Sequence, residues 1–472
     1  MFIKRIGEIK NLENNILKIR NDSIIKLSKQ DGKYVIIDGQ VPSWLNATQQ
    51  TSILGLPELR SGIEPWLTSL FQSEHLSVLI GNGLSTAVQF IATGNVNTAM
   101  ADKDIDSAFK DKILKAAKKS SAESGRGEKN IEDEIRVTNE LIRGLEILGY
   151  DTDEDKKNDY KELCQGLELL IKGFTDEITK IEASVATATL VERERAFGYL
   201  VSFLMSFASR TGTRERLNIF TTNYDRLIEA GAELAGLHLL DRFVGTLAPI
   251  FRSSRLDIDM HYNPPGIRGE PRYLEGVARF TKLHGSVDWI DIGTDIRRIG
   301  LPFGSADIEN FLNAPGLDNI DRRKVMIYPN SSKDRETAEY PYVELFRDYA
   351  AALCRPNSTL VTYGYGFGDE HINRIIRDML TIPSTHLVII SYGDAGGRIK
   401  KKYKEFGRSS QISLIIGKDL ANLPTLVDFF MPKPSIDKIS IRMGELLKQR
   451  YLETEAKSVQ DDFIDLSRGD DL

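Results

Sequence analysis

Apolar and polar positions along the chain repeat with two different periods. Between residues 101 and 215 the period is helical. Ile131, Ile135, Ile142 and Leu145 share one face, Leu163, Leu167, Leu170 and Phe174 a second, and Phe197, Leu200, Leu204 and Phe207 a third. Elsewhere short unbroken apolar runs predict buried strands: LSVLI (76–80), LNIFT (217–221), RFTKL (279–283), VMIY (325–328), TLVTY (359–363), HLVIIS (386–391) and ISLII (412–416). Helical stretches such as DRLIEAGAELAGL (225–237) and EHINRIIRDML (370–380) separate most of them. Alternation of this kind predicts an α/β fold: a Rossmann-like parallel sheet with helices on both faces, interrupted by an inserted α-helical subdomain.

The boundaries that follow are an N-terminal extension (1–70), a sheet domain in two pieces (71–100 and 216–420), the helical insertion (101–215) and a C-terminal helical and acidic tail (421–472). The extension holds one strand signal, Tyr34–Ile37, and a helix near Ile63–Phe71; the segment KKSSAESGRGEKN (118–130) predicts a surface loop. No internal repeat is present.

Composition narrows the function classes. A formal net charge of -6 argues against a surface built to coat nucleic acid, and no sequence-specific nucleic-acid reader is expected. The 2 cysteines, Cys164 and Cys354, cannot build a disulfide framework or a four-cysteine zinc site, so no metal is expected. The first residues lack the apolar core of a signal peptide, and no apolar run approaches the roughly 20 residues a membrane helix needs. The expected setting is cytoplasmic.

Four strand ends carry the candidate chemistry. Gly81-Asn82-Gly83 ends the first strand, with Ser85 placed to cap the following helix, whose N-terminus favours an anion. Glycines there let the backbone approach a diphosphate. Thr221, Thr222, Asn223, Tyr224 and Asp225 follow the second strand; one of Asn223 and Asp225 is expected to cap the next helix. His284, beside Gly285, follows the third strand, and an imidazole can exchange protons near neutral pH. Gly364, Gly366 and Gly368 with Asp369 follow the fourth. Open parallel sheets bind ligands at the carboxyl ends of their strands. The four tips are therefore expected to face one crevice.

In this order, GNGLS, TTNYD, LHGS and GYGFGDEHI resemble the sirtuin family, and more closely the sirtuin-like domains of bacterial anti-phage defence systems, over about residues 76–416. Deacylating sirtuins carry a two-Cys-x-x-Cys zinc module that this chain cannot build. They also have Gln where Thr222 stands, a common alanine at Asn82, and an Asn near Ser391. The resemblance implies NAD as substrate and an NAD+ glycohydrolase that depletes it in defence by abortive infection. The alternatives are a non-catalytic sensor of NAD or ADP-ribose, and a protein deacylase. On this reading Asn223 positions the ribose or a water, His284 is the general base, and Asp225 orients the nicotinamide amide or a neighbouring side chain. Gly81, Gly83 and Ser85 cradle the diphosphate, and Asn82 and Thr222 belong to the same binding set. Gly285, Gly364, Gly366, Phe367, Asp369 and Ser391 complete the binding set, with Gly366 and Asp369 near the adenosine half. The implied partners are further copies of the chain and, as in some family members, a HerA-type ATPase or a phage-derived trigger.

Overall fold

The computed structural model describes residues 15–45, 53–97, 107–123, 129–210, 214–257, 260–262, 272–313, 321–325 and 340–433, with isolated positions between them. The chain divides into two units, Met1–Met431 and Pro432–Leu472; of the second only Pro432 and Lys433 are described, so the acidic tail lies outside the described residues.

Strands β1 (Asn15–Lys18), β2 (Ile25–Gln30), β3 (Lys33–Ile36), β4 (Ile53–Leu54), β5 (His75–Ile80), β6 (Asn218–Thr221), β7 (His238–Leu240), β8 (Val277–Lys282), β9 (Ser358–Tyr363), β10 (His386–Ser391) and β11 (Ile412–Ile416) form one 11-stranded sheet. Its order is β4-β3-β2-β1-β11-β10-β9-β5-β6-β8-β7. From β11 to β7 every pairing is parallel; β1 turns antiparallel against β11 and leads out through β2, β3 and β4. Strands β1–β4 thus extend the same sheet. Of the predicted strand at 325–328, Val325 makes an isolated bridge with Ile290 and the rest lies outside the described residues.

The central parallel strands are largely apolar because both faces are covered. Val78, Ile80, Val361, Tyr363, Val388 and Ile390 face a core shared with helices α1 (Leu56–Phe71) and α2 (Asn82–Thr93). Leu79, Leu360, Leu387 and Ile389 alternate onto the opposite core. The inserted helices are α3 (Lys110–Glu123), α4 (Ile131–Ile147), α5 (Lys157–Ala186) and α6 (Leu190–Ala208). The start of the loop expected at 118–130 is instead the last turns of α3.

The first two predicted stripes, on α4 and α5, close a third core together with Tyr224, Val287 and Ile290. The third stripe does not join them: Leu200, Leu204 and Phe207 of α6 pack into the first sheet core with α2 and with α7 (Leu227–Leu234). The opposite core is closed by α8 (Tyr342–Leu353), α9 (Glu370–Met379) and α10 (Arg398–Phe406). Beyond β7 the chain adds a small four-stranded sheet, Phe243–Val244, Ile250–Phe251, Trp289–Asp291 and Ile296–Arg298. Among the described residues no helix is long and apolar enough to cross a membrane.

Two halves of the sheet diverge at β5 and β9. From β5 the chain proceeds to β6 on one side, whereas β9 leads to β10 and β11 on the other. Such a switch point opens a crevice at the carboxyl ends of the two strands.

Candidate functional site

At the switch point the strand tips are tied to one another by backbone. Gly81 N–H donates to Tyr363 O at 3.0 Å, Gly83 N–H to Gly364 O at 3.1 Å, and Thr222 N–H to Ile80 O at 3.1 Å. Glycine is required here because the two turns touch. A Cβ on Gly81 would meet Gly364 O at 2.5 Å, and one on Gly83 would meet Gly364 Cα at 2.6 Å. Gly364 itself has φ +62°, in the left-handed region. Gly81 and Gly83 thus admit the neighbouring turn, and the Gly83 N–H already has an acceptor there.

Ser85 is also placed differently from its expected role. Helix α2 starts at Asn82 with Gly81 as its N-cap, so Ser85 lies inside the helix rather than capping it. Its buried hydroxyl donates to Asp225 Oδ2 at 2.6 Å and accepts from Asn223 Nδ2 at 2.9 Å. Asn223 Nδ2 also donates to Gly81 O at 3.2 Å. A carbonyl oxygen can only accept, so this contact fixes which end of the Asn223 amide is nitrogen. Asn223 Oδ1 is left buried with no hydrogen-bond partner among the described residues. An unmet buried acceptor costs about 1–3 kcal/mol. Asp225 Oδ1 accepts from Leu227 N–H at 3.1 Å, so Asp225 both tethers the start of α7 and holds Ser85.

Lys282, at the end of β8, reaches under this loop. Its Nζ donates to Asp225 O at 2.5 Å, to Glu229 Oε1 at 3.0 Å and to Tyr224 O at 3.4 Å. Ser286 Oγ and Val287 N–H add bonds to Tyr224 O at 3.3 and 3.0 Å. The loop after β8 and the loop after β6 are thereby locked together. That lock carries His284 to the same cavity, where neither ring nitrogen has a hydrogen-bond partner among the described residues.

The cavity has a volume of about 1100 Å³. That is at or above the ~300–1,000 Å³ of ordinary small-molecule sites. Gly81, Asn82, Gly83, Ser85, Thr222, Asn223, Asp225, His284, Gly364, Gly366 and Asp369 all line it. Three sequence candidates do not. Gly285 supports the turn after β8 with φ +90°. Phe367 is buried against the rings of Tyr365 and Phe406. The Ser391 hydroxyl donates to Gly393 O at 2.7 Å, and its neighbour Tyr392 lines the cavity instead.

Residues 217–415 match the model of the SIR2-like domain. None of the curated proteins matches the chain. SIR2-like domains use NAD, and the match runs from the foot of β6 into β11, so it takes in Asn223, His284 and the 364–369 turn. The Gly81–Ser85 turn and the inserted helices lie outside the matched SIR2-like segment but complete its cavity.

Several wall residues carried no signal in the sequence. Arg398, the first residue of α10, lines the cavity and donates its Nε to Gly366 O at 3.1 Å. Glu132 of α4 and Phe174 and Ile178 of α5 form another part of the wall. Those positions read only as helix faces until the fold turns them inward. Among the described residues no group of three or more His, Cys, Asp or Glu is placed to hold a metal ion.

Proposed function

We propose that this chain is an NAD+ hydrolase that releases nicotinamide and leaves ADP-ribose. The observation that carries the reading is Asn223. Its amide nitrogen is fully engaged by Ser85 and Gly81, its Oδ1 is buried and unmatched, and it lines the same cavity as His284 in a SIR2-like domain. The residues fit a dinucleotide in two further respects: the cavity is large enough, and it lies at the switch point of a parallel sheet.

In the reaction the C–N bond between ribose and nicotinamide breaks, its electron pair leaving with the nicotinamide nitrogen. Water adds to the ribose carbon and gives up one proton. Asn223 Oδ1 accepts a hydrogen bond from a ribose hydroxyl or from that water. His284 takes the water's proton, a step of the kind that contributes roughly 10²–10⁴-fold. Asp225 acts through Ser85, holding the amide so that an acceptor faces the reactants. The resemblance to defence proteins makes depletion of cellular NAD the proposed role, with assembly of several copies or an ATPase partner as its control.

Incubating the purified full chain with NAD+ and following nicotinamide tests the reading. Release by wild type that is lost in Asn223→Ala and in His284→Ala, with both variants folded by circular dichroism, is the expected result. NAD+ binding with no release, alone and with partner added, would instead make the site a sensor.

A further inference from the structure

Successive side chains of the loop after β6 part to opposite sides. Asn223 and Asp225 join Ser85, whereas Tyr224 and Arg226 go to the inserted helices. The Tyr224 hydroxyl donates to Glu132 Oε1 of α4 at 2.9 Å, and its ring stands edge-on to Phe174 of α5 with centroids 5.6 Å apart. Arg226 gives its backbone N–H to Glu182 Oε1 of α5 at 2.7 Å and its Nη2 to Glu182 Oε2 at 2.5 Å. The Glu182 side chain is 0% exposed. Burial pushes the Glu182 carboxyl upward and Arg226 opposes that shift. Separating such a pair strands a charge in the interior. The loop is therefore gripped from two directions, by Glu182 and Glu132 from the insertion and by Lys282 from β8.

We propose that the insertion is a positioning element of the reaction: α4 through Glu132–Tyr224 and α5 through Glu182–Arg226 set where Asn223 stands in the cavity. The same helices also supply part of the cavity wall, so a displacement of α4 or α5 moves wall and loop together. Tyr224, Arg226, Glu132 and Glu182 are positioning residues, acting through the backbone on Asn223 rather than on the substrate. The kinetic part of this proposal rests on the hydrolase reading; the mechanical part does not.

Tyr224→Phe is the gentlest probe, since it deletes one hydroxyl and keeps the ring against Phe174. In the full chain two quantities are measured: hydrogen–deuterium exchange over residues 221–227, and kcat and KM for NAD+. Faster exchange over that segment is expected, with kcat reduced on the order of 10- to 100-fold and KM within about twofold, because geometry is lost while the Gly81–Gly364 contact stays. Glu182→Gln, which keeps an acceptor for the Arg226 N–H, should fall between wild type and Glu182→Ala in both quantities. Unchanged exchange in Tyr224→Phe overturns the proposal, as does faster exchange with wild-type kcat. Should Glu182→Ala fail to fold, Tyr224→Phe and Glu182→Gln decide. A wild-type chain that releases no nicotinamide defeats the hydrolase reading, and the exchange comparison then judges the coupling on its own.

Discussion

Gly83→Ala isolates the contact between the two central turns. A Cβ at this position would lie 2.6 Å from Gly364 Cα and 3.1 Å from Gly364 O, both of them backbone atoms. Carbon atoms pack at about 3.5–4.0 Å, so the turns must separate by about 1 Å. The Gly83 N–H bond to Gly364 O, now 3.1 Å, would stretch beyond useful range. Overpacking of this kind costs about 1–3 kcal/mol and the lost bond about 0.5–1.5 kcal/mol. Better helix propensity returns up to ~1 kcal/mol at this first-turn position of α2. The net expectation is a destabilisation of roughly 0.5–4.5 kcal/mol. Because both turns line the cavity, the same movement should also raise KM for NAD+. Thermal unfolding and nicotinamide release measure the two effects. Gly198→Ala in α6 is the control: nothing lies within 4 Å of its would-be Cβ, so it should stabilise by about 0.5–1 kcal/mol. A Gly83→Ala protein that melts with or above wild type and keeps its KM would refute the steric account of this turn.

Other substitutions and conditions probe separate parts of the molecule. Asn223→Ala and His284→Ala should each abolish nicotinamide release without unfolding the chain, read by product analysis and circular dichroism. Lys282→Met, which strands Glu229 and removes the donor to two loop carbonyls, should destabilise by about 3–5 kcal/mol in a denaturant titration. His386 is held down to about 4 by burial and by nearby Lys18. Its Nε2 pairs with the Ser413 hydroxyl, which in turn accepts from Trp66 Nε1. The folded value lies below the unfolded one, so the unfolded chain binds the extra proton. Stability from this histidine is whole above about pH 6.5 and drains as pH falls toward 4, by about 3 kcal/mol. Replacing it by Asn should flatten the melting temperature across that window; an unchanged pH slope would show that another group sets it.

The parallel core was legible from the short apolar runs along the chain. HLVIIS and ISLII are β10 and β11 to the residue, since a strand covered on both faces is apolar at most positions. The stripes on α4 and α5 were legible for the same reason, because a helix buried along one face must repeat at helical spacing. So were the four polar strand ends, which meet at one cavity where the apolar runs stop. What those stripes and tips touch was not legible. Burial requires only an apolar partner, and periodicity does not say which one, so the packing of α6 on the first sheet core could not be told apart from that of α4 and α5 on the third. The Tyr34–Ile37 signal marked β3, but β1, β2 and β4 stayed hidden because short antiparallel edge strands with mixed burial lack a strong period. Whether Gly83 faces a phosphate or another glycine, and whether Ser85 caps a helix or steers Asn223, depends on which turns meet across the switch point. That meeting joins residues 140 positions apart, Ser85 and Asp225, through one hydroxyl, and only the folded chain brings them within 2.6 Å.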